Sequence, residues 1–207
     1  MIAPYSATDF RRRAESHLAD SPPDFVLYSD YKINPGVDHH LTDMTLKDAA
    51  VLIPVVDDGD EARVIFTQRT SSLRKHSGQI AFPGGKVDGD ESAETAALRE
   101  AEEEIGLARH FVEVIGPLPS IPVLSGFRIT PVLSVVRTGF DLTLNPDEVE
   151  AVFDVPLSFL MDPANHRQEK GKFRNLDRYY YAIPYQDRRI WGITAGIVRS
   201  VYERLYE

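Results

Sequence analysis

The chain has 207 residues, enough for one domain with appendages, and its 43% hydrophobic and 27% charged content is ordinary for a globular protein. A formal net charge of −9 argues against a general binder of nucleic acid or of anionic membrane. No apolar run is long enough to span a bilayer, and Met1–Ser6 lacks the charged and apolar stretches of a secretory leader, so none is expected. The absence of cysteine removes disulfides and thiolate metal sites and fits a cytoplasmic setting.

In chain order, residues 7–19 read as a short amphipathic helix with Phe10, Ala14 and Leu18 on one stripe, and residues 20–36 as irregular. The main domain is expected from Leu46 to the C-terminus. Residues 1–45 form an N-terminal helical extension that could cover the site, make a homodimer contact or pack on the sheet. Ala50–Val56 is a buried strand, Asp57–Asp60 a turn and Ala62–Gln68 the returning strand of a hairpin. Ile80–Phe82 is a short strand ending at Pro83-Gly84-Gly85. A helix is predicted over Ser92–Ile105, capped by Asp90 or Ser92 and stopped by Gly106, with Ala93, Ala97, Ala101 and Ile105 as a narrow apolar side. Strands follow at Phe111–Gly116 and Ile129–Val136, then turns or short helices at Pro146–Val149 and Leu157–Met161. Arg178–Pro184 and Arg189–Trp191 read as a late hairpin, and Thr194–Leu205 as a closing helix. This irregular interleaving predicts an α/β fold with a mixed sheet covered on both faces.

The chemistry concentrates in residues 85–107. A helix advances about 100° per residue, so Glu100, Glu103 and Glu104 share a face with Cβ atoms roughly 5–6 Å apart. Acidic runs usually face water. A solvated helix, however, normally relieves such charge with a base at i+4, whereas Glu100 meets Glu104 and Glu103 meets Leu107. The cluster also lies near the C-terminal end of the helix, where the macrodipole disfavours it. A hard divalent cation with a preference for oxygen ligands is the natural counter-charge.

Gly85, Glu91, Arg99, Glu100, Ala101, Glu103, Glu104, Gly106 and Leu107 match the Nudix box at every fixed position. This resemblance implies a Nudix-type α/β/α sandwich and Mg²⁺- or Mn²⁺-dependent cleavage of a nucleoside diphosphate linked to another group. It also implies metal ligation by Glu100, Glu103 and Glu104, with the backbone carbonyl of Gly85 as a further ligand. Glu91 and Arg99 would orient the loop and helix, Arg99 by holding a carboxylate in its fork. The general base implied is a box glutamate or an acid on a later loop; Glu103 and Glu148 are the first choices. An acid cluster such as Asp147, Glu148 and Glu150 can equally be explained by a helix start.

Upstream, Thr67, Arg69, Arg74, Gly78, Phe82, Pro83, Gly84 and Gly85 resemble the added signature of coenzyme A pyrophosphatases within that family; Ile65, Phe66 and Thr70 are mild departures. The closing Trp191–Ala195 segment is similar as well. The resemblance implies hydrolysis of coenzyme A to 4′-phosphopantetheine and adenosine 3′,5′-bisphosphate. The dense basic stretch Arg69, Arg74, Lys75 and His76 suits phosphate oxygens, and Gly84 allows a close backbone approach. Arg69, Arg74, Lys75, Gly84 and Phe82 are therefore the expected substrate-binding residues. The partner expected is a small molecule, not nucleic acid or membrane. The alternatives are a Nudix pyrophosphatase for ADP-ribose, dinucleotides or nucleoside triphosphates, and a non-catalytic ligand sensor of the same fold.

Overall fold

A computed structural model describes residues 2–20, 32–35, 45–70, 78–173 and 176–207. Two strands form its axis: β1 (Lys47–Asp57) and β7 (Phe127–Arg137) run parallel in register over the whole of β1, from Lys47↔Phe127 to Asp57↔Arg137. Both carry near-continuous buried runs, because the sheet is covered on both faces at this point. Every other pairing is antiparallel. The sheet is thus mixed, as the interleaved elements predict.

β2 (Arg63–Arg69) pairs with β1 only at Val55↔Val64 and Val56↔Arg63, then leaves it. The space it opens is filled by β3 (Ile80–Ala81), which pairs with β2, and by β4 (Gly84–Lys86), which pairs with β1. The expected hairpin is therefore a fork, and the Gly84-Gly85 turn lies in its opening. β5 (Val112–Pro117) and β6 (Ile121–Val123) both pair with β7. β8 (Val149–Pro156) lies along the outer side of β2.

Helix α2 (Ala93–Ile105) covers one face of the sheet. It is a residue shorter at its start than expected: Ser92 is the N-cap and accepts from the Thr95 N–H, while Gly106 closes the helix in the left-handed conformation at φ 69°. Ala96, Ala97, Ala101 and Ile105 are buried against Ala50, Leu52 and Val132. Alanines in the contact let the helix axis sit close to the strands. The opposite face carries α1 (Ala7–Asp20), the one-turn α3 (Leu157–Leu160), α4 (Ile193–Leu205) and a second, three-stranded antiparallel sheet of β9 (Arg167–Phe173), β10 (Leu176–Tyr185) and β11 (Arg188–Trp191). Phe10 and Ala14 of α1 are fully buried there, beside Ile197 and Val201 of α4.

Two strands depart from expectation. β8 begins where only the Pro146–Val149 turn was legible. As an edge strand it is half-exposed along most of its length, so it lacks a clean two-residue alternation. β9, Arg-Gln-Glu-Lys-Gly-Lys-Phe, is almost wholly polar and becomes a strand through its pairing with β10.

Candidate active site

The acidic helix and the glycine turn meet at the fork between β1 and β2. Gly84 and Gly85 pair with Val51 and Ala50. A Cβ on Gly84 would stand 2.3 Å from the Ala50 carbonyl oxygen, and one on Gly85 would stand 2.4 Å from Cδ of Glu100. The Gly84 space is closed by backbone and needs glycine, whereas a side chain at Gly85 would displace the Glu100 carboxyl from its place. The cradle left by the missing Cβ of Gly85 is filled by the Glu100 carboxyl.

Glu104 is 3% exposed. Its Oε2 accepts the Gly84 N–H at 3.1 Å, and its Oε1 lies 3.5 Å from Nη1 of Arg69. Burial pushes its carboxyl up to about 7; the Gly84 N–H and Arg69 counteract this, and the charges of Glu100 and Glu148 add to it. Burial also raises Glu100, with Arg99 opposing and Glu103 and Glu148 reinforcing. Glu148 therefore faces the same space as Glu100 and Glu104. It is seated by backbone: its carbonyl accepts the Thr70 N–H at 3.0 Å, and its N–H donates to the Asn145 carbonyl at 3.1 Å.

Arg99 is the hub beneath this space. Nη2 donates to Glu91 Oε1 at 2.7 Å and to the Lys86 carbonyl at 3.0 Å, while Nε reaches Glu91 Oε2 at 3.3 Å. Nη1 donates to Glu100 at 2.9 Å and to Glu103 at 3.0 Å. The hydrogen bond from Arg99 holds Glu91 below the usual carboxylate range, and Glu91 in turn keeps the guanidinium charged. Glu91 also accepts the Asp88 N–H at 2.8 Å, which ties the fork to the turn ahead of α2.

Of the residues singled out in the sequence, Glu91, Arg99, Glu100, Glu103, Glu104, Gly84, Gly85, Arg69 and Glu148 come together around this one space. Glu103 is the outermost, its side chain 56% exposed. Phe82 does not join them. It is 3% exposed and stacks on Phe66 at 4.8 Å, so its ring belongs to the core under the turn and not to a substrate surface. Arg74, Lys75 and His76 lie outside the described residues. Asn145 carried no signal of its own, yet its N–H donates to the Glu104 carbonyl at 2.9 Å while its carbonyl takes the N–H groups of Glu148 and Val149.

The donor set fits a hard divalent cation. It is all oxygen, the Glu104 carboxyl is buried and that of Glu100 partly so, and the charges there are under-compensated by local bases. Among the described residues no three acidic or imidazole groups already form one coordination ring. Arg99 holds Glu100 and Glu103 in its fork, and Gly84 holds Glu104.

The NUDIX domain model matches residues 46–176, more than half of the chain. The chain is 40% identical over 163 residues to an uncharacterized Nudix hydrolase, NudL, of Escherichia coli K12, covering 75% of this chain and 81% of that protein. The NudL of an Enterobacter strain is equally similar over 156 residues. Among solved structures, DR0079 of Deinococcus radiodurans superimposes with a TM-score of 0.51 at 16% identity, over 78% of this chain and 87% of that one, a likeness of fold. With the box residues gathered beside the glycine turn and a family match that spans the central sheet, this chain belongs to the Nudix family of hydrolases.

Proposed function

We propose that the protein hydrolyses the diphosphate bond of coenzyme A, releasing 4′-phosphopantetheine and adenosine 3′,5′-bisphosphate. The observation that carries this reading is Glu104: a buried carboxyl with a pKa of about 7, held between the Gly84 N–H and Arg69. A site that stores unneutralised acid beside a glycine turn is suited to gathering cations and then a phosphoanhydride. The preference for coenzyme A is supported by the signature running from Thr67 to Gly85, which brings Arg69 to the edge of the acidic cluster.

Glu100 and Glu104, with Glu103 and the carbonyl of Gly85, would hold Mg²⁺ or Mn²⁺. When bound, such ions neutralise diphosphate charge and acidify a coordinated water. Arg99 fixes the starting geometry, because its fork holds Glu91, Glu100 and the Lys86 carbonyl at once. Arg69 places a guanidinium where a phosphate oxygen can replace its weak contact to Glu104. Glu148, on the turn before β8 and close enough for its charge to act on Glu100 and Glu104, would accept a proton from an attacking water, with Glu103 as the alternative base.

The test is a substrate panel with Mg²⁺ or Mn²⁺, comparing coenzyme A, dephospho-coenzyme A, ADP-ribose, dinucleotides and nucleoside triphosphates. Coenzyme A is expected to give the highest kcat/KM, with adenosine 3′,5′-bisphosphate as product. A panel led by ADP-ribose or a dinucleotide would replace the substrate assignment. Absence of any metal-dependent turnover would leave the ligand-sensor reading.

A further inference from the structure

Trp191 is the chain's single tryptophan, and it stays 39% exposed at the end of β11. The register of the three-stranded sheet puts it on the outward face with Arg189, Tyr180, Glu169 and Arg167; Ile183 and Ile190, on the inward face, are fully buried. Tyr180 and Trp191 meet edge to face with centroids 5.7 Å apart. The Arg189 guanidinium lies 5.7 Å from the Tyr180 ring centre and 5.3 Å from that of Trp191. Glu169 accepts hydrogen bonds from Arg189 and from the Tyr180 hydroxyl. Among the described residues the hydrogen bonds of Arg189 leave from Nη2, so Nε and Nη1 are further donors. Gly171 makes room for the group, since a Cβ there would stand 3.0 Å from the Tyr180 ring. With Arg167 and Arg189 against Glu169, this face is locally positive on a chain of net charge −9.

The strand that carries Trp191 and Arg189 is tied to the two strands that lead into the site already described. The Thr194 hydroxyl, three residues beyond Trp191, donates to the Ile80 carbonyl at 3.0 Å. Arg188 donates to Gln68 at 2.9 Å, and Gln68 pairs with Ile80. The residue after Gln68 is Arg69, and the residues after Ile80 lead into Gly84-Gly85. Tyr180, Arg189 and Trp191 all lie beyond residues 46–176, the segment matched to the family as a whole, so they suit a role in distinguishing substrates more than in the shared cleavage.

We propose that this face is the seat of the nucleotide half of the substrate: a purine ring stacks on Trp191, and Arg189 bonds the ribose 3′-phosphate. The assignment rests on the diphosphate reading given above. An exposed indole offers a π-surface that any purine can cover, and a guanidinium offers paired donors to phosphate. The remaining contacts pre-position the platform: Glu169 holds Arg189 over the rings, and Tyr180 braces the indole edge.

The lone tryptophan makes the test direct. In EDTA, titration with adenosine 3′,5′-bisphosphate is expected to change tryptophan emission saturably, while 4′-phosphopantetheine leaves it unchanged. Arg189→Ala should weaken the bisphosphate about tenfold, the scale of a lost charge-assisted hydrogen bond. In turnover, Trp191→Leu should raise the KM for coenzyme A about tenfold with kcat little changed, and Trp191→Phe, which keeps a stacking ring, should restore most of the loss. Flat emission with the bisphosphate overturns the proposal. So does a Trp191→Leu enzyme with wild-type KM, or a single-stranded oligoadenylate that binds as tightly as the bisphosphate. Because the titration is metal-free, saturable quenching without coenzyme A cleavage would uphold the platform and sink the diphosphate reading instead.

Discussion

Two buried carboxyls, one on each face of the central sheet, have opposite fates. Asp9 of α1 is 5% exposed and Glu104 of α2 is 3% exposed. Burial pushes both upward. At Asp9 the effect is overcome by Arg12 and Arg13, each at 2.8 Å, and by the Tyr5 N–H, so the carboxyl ends below its ordinary range. At Glu104 there is one arginine at 3.5 Å and one N–H, while Glu100 and Glu148 add like charge, and the carboxyl ends at about 7. Low exposure near the surface with full compensation makes a structural ion cluster. Low exposure at greater depth without it leaves a carboxyl short of counter-charge, the state that the proposed cation would relieve.

Glu104→Gln breaks this contrast most sharply. Metal-dependent turnover should fall on the order of a thousandfold, the scale of several kcal/mol of lost charge stabilisation. Because the folded pKa of Glu104 is raised, its stabilising contribution is fully present below the unfolded value of 4.5 and is lost as pH rises through about 7. In EDTA the variant should therefore gain stability relative to wild type between pH 5 and pH 8, by up to about 3 kcal/mol. Urea melts across that range check it; a pH-independent difference would mean that Glu104 is not destabilised by its charge. Adding Mg²⁺ should raise the wild-type Tm more than that of the variant.

Arg99→Lys sharpens the contrast from the other side, because an ammonium cannot span Glu91, Glu100 and Glu103 as the guanidinium does. About 10–100-fold is expected to be lost in activity or metal affinity, read by kcat against metal concentration. Retained activity at saturating metal would assign the loss to metal binding; wild-type behaviour throughout would remove the orienting role. The smallest effect belongs to Asp9→Asn, which should destabilise the fold by about 1–2 kcal/mol while leaving kcat/KM untouched. Since the Asp9 pKa is lowered, that penalty exists above pH 4 and fades as pH falls below 3.8. Chemical melts at pH 7 and pH 3 would check this.

The glutamate helix was legible because its signal is local: cap, stop, alanine side and acidic face all fall within residues 92–106. The pairing of Arg99 with Glu91 was legible only through the resemblance, since seven residues separate the two and the turn of the chain into α2 brings them together. Phe82 misled because a two-residue strand beside a glycine turn has too little period to tell inward from outward. β9 could not be seen at all: its residues carry no apolar stripe, and its partner strand supplies the reason for its conformation. The aromatic platform escaped for a related reason. Tyr180 and Trp191 belong to a plain hairpin in sequence, and only the register shows that they share a face with Arg189.

Two backbone bonds close a clasp at the end of α2: Thr143 N–H to the Ile105 carbonyl, and Asn145 N–H to that of Glu104. The chain between them, which builds β5, β6 and β7, leaves and returns at one point. Lengthening an outer bend such as that at Gly126 therefore leaves the span between Glu104 and Glu148 unaltered, and the excursion can diversify while the two acids keep their distance.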